Sequence, residues 1–239
     1  MTVILVIFAA VISTALGGIF AIRFKDKLHL ILGFGAGAIL GVALFDLLPE
    51  SIELTDGLYS VQTVAALIAL GFCVFMLIDR FFLLHGHSGD NCDNPAHSGK
   101  FGALAIILHS ALDGFSIGIA FKVSPAVGWV VAFAVLIHGF SDGINTVNMI
   151  IKSKGNRITA MKWLAVDALA PAFGVIAAYC LTVSNSTLGI ILSVFVGLFL
   201  YISASDLIPE SHHKHPAIWT TISTIIGMAV IFVASYVVG

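Results

Sequence analysis

The sequence predicts an all-α, polytopic membrane protein, and three observations carry that expectation. Of its 239 residues 59% are hydrophobic and only 10% are charged, against about 25% charged in a soluble domain, so too little polar surface exists to face water. The mean hydropathy of +1.07 points the same way. The apolar residues also fall in continuous runs of about 20, the length of a membrane-crossing helix, and not in the alternating ten-residue strands of a β-barrel.

Eight such runs can be placed, at roughly 1–22, 29–48, 61–84, 101–122, 127–151, 159–182, 187–208 and 217–238. The first, opening MTVILVIFAAVISTALGG, lacks the basic stretch of a cleaved signal peptide and reads as a retained span. The second closes on FDLLPES, where Pro49 cannot donate to a helical ladder. The third is followed by a polar loop over 85–100, HGHSGDNCDNPAHSGK, and the fourth and fifth are joined by KVSPAVG. KSKGNR introduces the sixth, SNST the seventh and PESHHKHP the eighth. The expectation is one transmembrane domain over 1–239.

Charge placement predicts orientation. Arg23, Lys25, Lys27, Arg80, Lys100, Lys152, Lys154, Arg157, Lys162 and Lys214 all fall on one side if the spans alternate, leaving Lys122 alone on the other. The lysine- and arginine-rich side is cytoplasmic by the positive-inside rule, so both termini face outward and the 85–100 loop faces inward. No basic tract supports nucleic-acid binding. Cys73, Cys92 and Cys180 are too scattered for a disulfide framework.

The chemistry concentrates in two matching segments, HSALDG at 109–114 and HGFSDG at 138–143. In each, a His and an Asp four residues apart share one helix face. Asp113 lies about twelve residues before the turn near Ser124–Pro125 and His138 about thirteen after it. At 1.5 Å per residue both stand roughly 18–20 Å from the outer turn, near mid-membrane. Ionisable groups are costly there unless they pair, hydrate or bind an ion. A purely structural His–Asp network would explain one such pair. Two level pairs on antiparallel neighbours favour a metal site of His109, Asp113, His138 and Asp142. Two imidazoles and two carboxylates suit Zn²⁺ best and also admit Fe²⁺, Mn²⁺, Co²⁺ and Cd²⁺.

A second echo joins FDLLPES, closing span 2, to SDLIPES at 205–211, closing span 7. Both echoes pair helices of opposite direction, which predicts an inverted repeat in a 3+2+3 plan, spans 1–3 matching 6–8 and span 4 matching span 5. Asp46 and Glu50 outside, and Asp206, Glu210, His212 and His213 inside, are either entry and exit ligands or solvated helix ends before Pro49 and Pro209. Asn145 and Asn148 either wet the inner half of a pathway or bond between helices. The donors of the 85–100 loop have no closed-site spacing; a solvated linker or weak metal capture both fit them.

These residues resemble the ZIP (Zrt/Irt-like) family of divalent-metal transporters over nearly the whole chain. His109, Ser110, Asp113 and Gly114 match that family's span 4 pattern, and His138, Gly139 and Asp142 its span 5 pattern. FGAGAILGVALFDLLPES and GLFLYISASDLIPE look like its spans 2 and 7. The resemblance implies a plasma- or inner-membrane transporter, not an enzyme, that brings a divalent metal into the cytoplasm without a prosthetic group. It further implies a homodimer in which spans 1, 4, 5 and 6 slide against spans 2, 3, 7 and 8. Where the family often holds a second, adjacent ion, this chain has Ser110, Gly139 and Ala170, so a single ion is expected. Asp167, one turn from Ala170, either replaces a missing ligand through water or caps the cytoplasmic end of span 6. Protons are candidates to replace the departing metal between two facing carboxylates. The alternative from another class is an intramembrane zinc hydrolase acting on a lipid amide or ester.

Overall fold

The computed structural model describes residues 2–23, 29–86, 95–212 and 218–238, all helical apart from short turns. The helices are α1 (Thr2–Arg23), α2 (His29–Val42), α3 (Leu48–Thr55), α4 (Val61–Gly86), α5 (Pro95–Val123), α6 (Pro125–Lys152), α7 (Arg157–Cys180), α8 (Asn185–Tyr201), α9 (Ile208–His212) and α10 (Ile218–Val238). A π-helical segment, Ala43–Leu47, fuses α2 to α3, and another, Ile202–Leu207, fuses α8 to α9. Eight of the resulting rods are long and apolar enough to cross a bilayer. Spans 4 and 5 of the sequence are α5 and α6.

The two π-helical segments correct one expectation. Pro49 and Pro209 do not end their helices; the rods run on to Thr55 and His212. A proline inside a helix lacks one N–H and crowds the carbonyl four residues back. A π turn just upstream re-registers the backbone and absorbs the defect. The two echoed PES segments thus share the same local irregularity. Two other boundaries differ: α5 begins at Pro95, inside the stretch read as loop, and a single residue, Ser124, separates α5 from α6. Ser124 caps α6 by accepting from the Val127 N–H at 3.1 Å.

Which rods sit inside follows from their composition. The α6 span is 67% buried whereas the α4 span is only 11% buried, because α4 carries large apolar residues such as Leu70, Leu77 and Phe81 on an outward face. An outward apolar face is the expected surface of a helix in lipid.

Close packing selects two sets of rods. In the first, Gly17 of α1 lies on the Phe140 carbonyl of α6 and Gly143 of α6 lies on the Thr14 carbonyl of α1. Gly114 of α5 and Gly174 of α7 similarly meet the carbonyls of Pro171 and Ala111. In the second set, Gly37 and Gly227 join α2 to α10, and Gly71 and Gly197 join α4 to α8, each against the partner's backbone. No side chain fits at these eight positions. Backbone-on-backbone approach through small residues is how rods associate in lipid, where apolar burial offers no driving force. Between the sets the approach is looser: a Cβ on Gly35 of α2 would stand at an ordinary 3.6 Å from the His138 Cα of α6.

Candidate metal centre

All four residues singled out from the two HxxxDG segments meet between α5 and α6. His109 and Asp113 are one turn apart on α5, with Nε2 to Oδ2 at 3.3 Å. His138 and Asp142 are one turn apart on α6, with Nε2 to Oδ2 at 3.7 Å. The helices are joined at this level by His138 Nε2 and Asp113 Oδ2, 2.8 Å apart, as their similar distances from the α5–α6 turn require. One donor atom from each of the four residues lies within 4.8 Å of the others. Around a tetrahedral ion with bonds of about 2.0–2.1 Å, donors stand about 3.3–3.4 Å apart, so small side-chain adjustments close the cage.

The donors are held ready for an ion. His138 is 1% and Asp113 1% exposed. The His138 Nδ1 faces the Ala134 carbonyl at 3.0 Å, and donating there leaves Nε2 directed at the cage. The His109 ring is packed against Phe75 of α4, centroids 5.8 Å apart, and its side chain is 11% exposed. Among the described residues, buried His109 Nδ1 and Asp113 Oδ1 have no hydrogen-bond partner. Buried polar atoms are otherwise almost always satisfied, so the Asp113 oxygen suits an ion, whereas His109 Nδ1 is the ring nitrogen other than the one facing Asp113.

The other candidate residues distribute differently. Ser110 is buried and turned away from the cage: its Oγ donates to Asp167 Oδ1 at 2.7 Å. Asp167 is 0% exposed and its Oδ2 accepts from Thr146 Oγ1 at 2.8 Å. This overturns the capping reading, because Asp167 sits in the interior between α5, α6 and α7. Asn145 and Asn148 are half-buried further along α6. Asp46 lies outside the four-residue cluster, within the π segment, where its Oδ1 accepts from Ser235 Oγ of α10 at 3.4 Å. It is therefore not at a helix end, and neither is Glu50, which falls within α3 and is partly exposed. The side chains of Asp206, Glu210 and His212, all of His213, and the donors His87, Asp90, Cys92 and Asp93 of the loop lie outside the described residues.

Four residues were not anticipated. Thr146 completes the Asp167 contacts, and its place one turn beyond Asp142 was the available signal. Phe75 packs on Tyr201 (centroids 5.6 Å), and the Tyr201 hydroxyl donates to Asp79 Oδ2 at 2.9 Å. That contact ties α8 to α4 beside the cage, and no spacing within one helix could reveal it.

Eight membrane-length rods and a buried His₂Asp₂ cluster define a polytopic membrane protein with a candidate metal-cation site. The family model of the ZIP zinc transporters matches residues 1–103 and 85–235, and the chain belongs to that family. It is 26% identical to the zinc transporter ZupT of Corynebacterium aurimucosum over 93% of this chain and 92% of that one. It is 24% identical to the zinc transporter zipt-7.1 of Caenorhabditis briggsae over 77% of this chain and 62% of the relative. To the zinc transporter ZIP9 of Xenopus tropicalis it is 24% identical, over 82% and 81%. These proteins are transporters and not enzymes, which removes the hydrolase alternative.

Proposed function

We propose that this chain carries zinc into the cytoplasm by alternating access, one ion at a time, at His109, Asp113, His138 and Asp142. The observation that carries the reading is the convergence of two imidazoles and two carboxylates from two adjacent rods, all within 4.8 Å. Zinc is favoured by that donor set and by the names of the relatives. Other divalent first-row ions and Cd²⁺ compete for the same donors. A single ion is supported by Ser110, Gly139 and Ala170, which offer few donors where the family often holds a second ion.

The inverted repeat is supported by the glycine contacts. Exchanging spans 1 with 6, 4 with 5, 2 with 7 and 3 with 8 converts the α1–α6 contact into the α7–α5 contact, and α2–α10 into α8–α4. Gly37 and Gly197 also precede Pro49 and Pro209 by the same number of residues. Repeats of this kind supply two exchangeable accesses to a site at their interface. The restriction of glycine-tight packing to α1, α5, α6 and α7, and separately to α2, α4, α8 and α10, supports two bodies that slide past each other. The charge asymmetry supports outward termini in a plasma or inner membrane, and family membership supports a homodimer with 1–239 as one transport domain.

Radioactive zinc uptake into proteoliposomes tests the function. The full chain is expected to give saturable uptake that His109→Ala and Asp142→Ala both abolish. Uptake that never saturates would make the protein a channel. Uptake that survives both substitutions would remove the site.

A further inference from the structure

Among the described residues, Asp167 is a carboxyl group buried to 0% exposure outside the cage, and its two bonds reach two different helices. One carboxylate oxygen accepts from Ser110, the residue after the ligand His109 on α5. The other accepts from Thr146, one turn beyond the ligand Asp142 on α6. A single planar group on α7 thus holds both ligand-bearing helices, at residues next to or one turn from the proposed ligands. A carboxylate buried at this depth is expensive, and plain helix adhesion needs no charge, since glycine contacts already bind α7 to α5.

We infer that Asp167 is a positioning residue that sets the spacing between α5 and α6 and thereby decides which divalent ion the cage accepts. The inference rests on the four-donor cage proposed above. Its physical basis is that donors on two rods can close on bonds of about 2.0–2.2 Å, as zinc requires, only if the rods are held at one separation. With the brace removed the rods can relax apart, and a larger ion such as Cd²⁺ then fits nearly as well. Hydrogen bonds that orient metal ligands cost 10–100-fold in affinity when lost. Asp167 acts through two helix backbones, so the lower end of that range applies.

Calorimetric titration of the purified full chain in detergent with ZnCl₂ and with CdCl₂ tests this, alongside thermal unfolding of each variant. Asp167→Ala is expected to weaken zinc binding about tenfold and cadmium binding much less, narrowing the ratio of the two affinities. Asp167→Asn is expected to restore the ratio, because the amide oxygen accepts from one hydroxyl and the amide N–H donates to the other. Should Asp167→Ala fail to fold, Thr146→Val removes one arm and is expected to move the ratio the same way by less. A lowered unfolding temperature with an unchanged zinc-to-cadmium ratio would overturn the inference, leaving a structural role only. So would an Asn variant as impaired as the Ala variant, since the charge and not the brace would then matter. If the wild-type chain bound neither metal, the cage itself would be refuted, and the brace with it.

Discussion

His138 of α6 and Asp113 of α5 approach to 2.8 Å through Nε2 and Oδ2, a direct bond between the two helices that carry the proposed ligands. The donors that would embrace an ion already lean on each other, so ion entry replaces this contact with two metal bonds. On the four-donor site proposed above, removing either partner would remove a ligand. His138→Ala and Asp113→Asn are expected to weaken zinc binding by more than the roughly 10–100-fold lost with a supporting hydrogen bond, read by titration of the purified protein.

Bound metal should appear as stability. A ligand that binds only the folded state adds about 2.7 kcal/mol at a free concentration a hundredfold over its Kd. Zinc is therefore expected to raise the unfolding temperature in detergent, and a chelator to reverse it. The double variant His109→Ala, Asp113→Asn should show no zinc-dependent shift in the same scan.

The glycine contacts separate two kinds of helix interface. Gly143→Ala would drive a Cβ into the Thr14 carbonyl of α1, and overpacking of this sort costs about 1–3 kcal/mol or more. Gly35→Ala meets His138 at only 3.6 Å and is expected to be neutral within about 0.5 kcal/mol, or to gain up to about 1 from helix propensity. Thermal unfolding of the two variants side by side checks the contrast.

Ser124 holds the one-residue joint between α5 and α6 by capping α6. Ser124→Ala is expected to cost about 1 kcal/mol while leaving zinc affinity within error, because the cap lies several turns from the cage. A large affinity change would mean that the joint sets the register of the two helices.

Much of this was legible in the sequence because it depends on distances along one helix. The four-residue spacing in HSALDG and HGFSDG put each His and Asp on one face, and similar distances from the turn near Ser124–Pro125 put the pairs near one level. What depends on how separate helices face one another was not legible. Asp167 read as either a water-mediated ligand or a cap because nothing along its own helix shows that Ser110 and Thr146 converge on it. Pro49 and Pro209 read as helix ends because the π segments that accommodate them leave no residue-type signature of their own. Phe75, Tyr201 and Asp79 meet only through the packing of α4 on α8, which apolar composition alone leaves undetermined.

Anomalous scattering at the zinc edge, from crystals of the full chain grown with zinc, measures the central claim most directly. The account predicts one peak between α5 and α6, bonded at about 2.0–2.2 Å to His109, Asp113, His138 and Asp142. Two fully occupied adjacent peaks, or a single peak held by other residues, would contradict it.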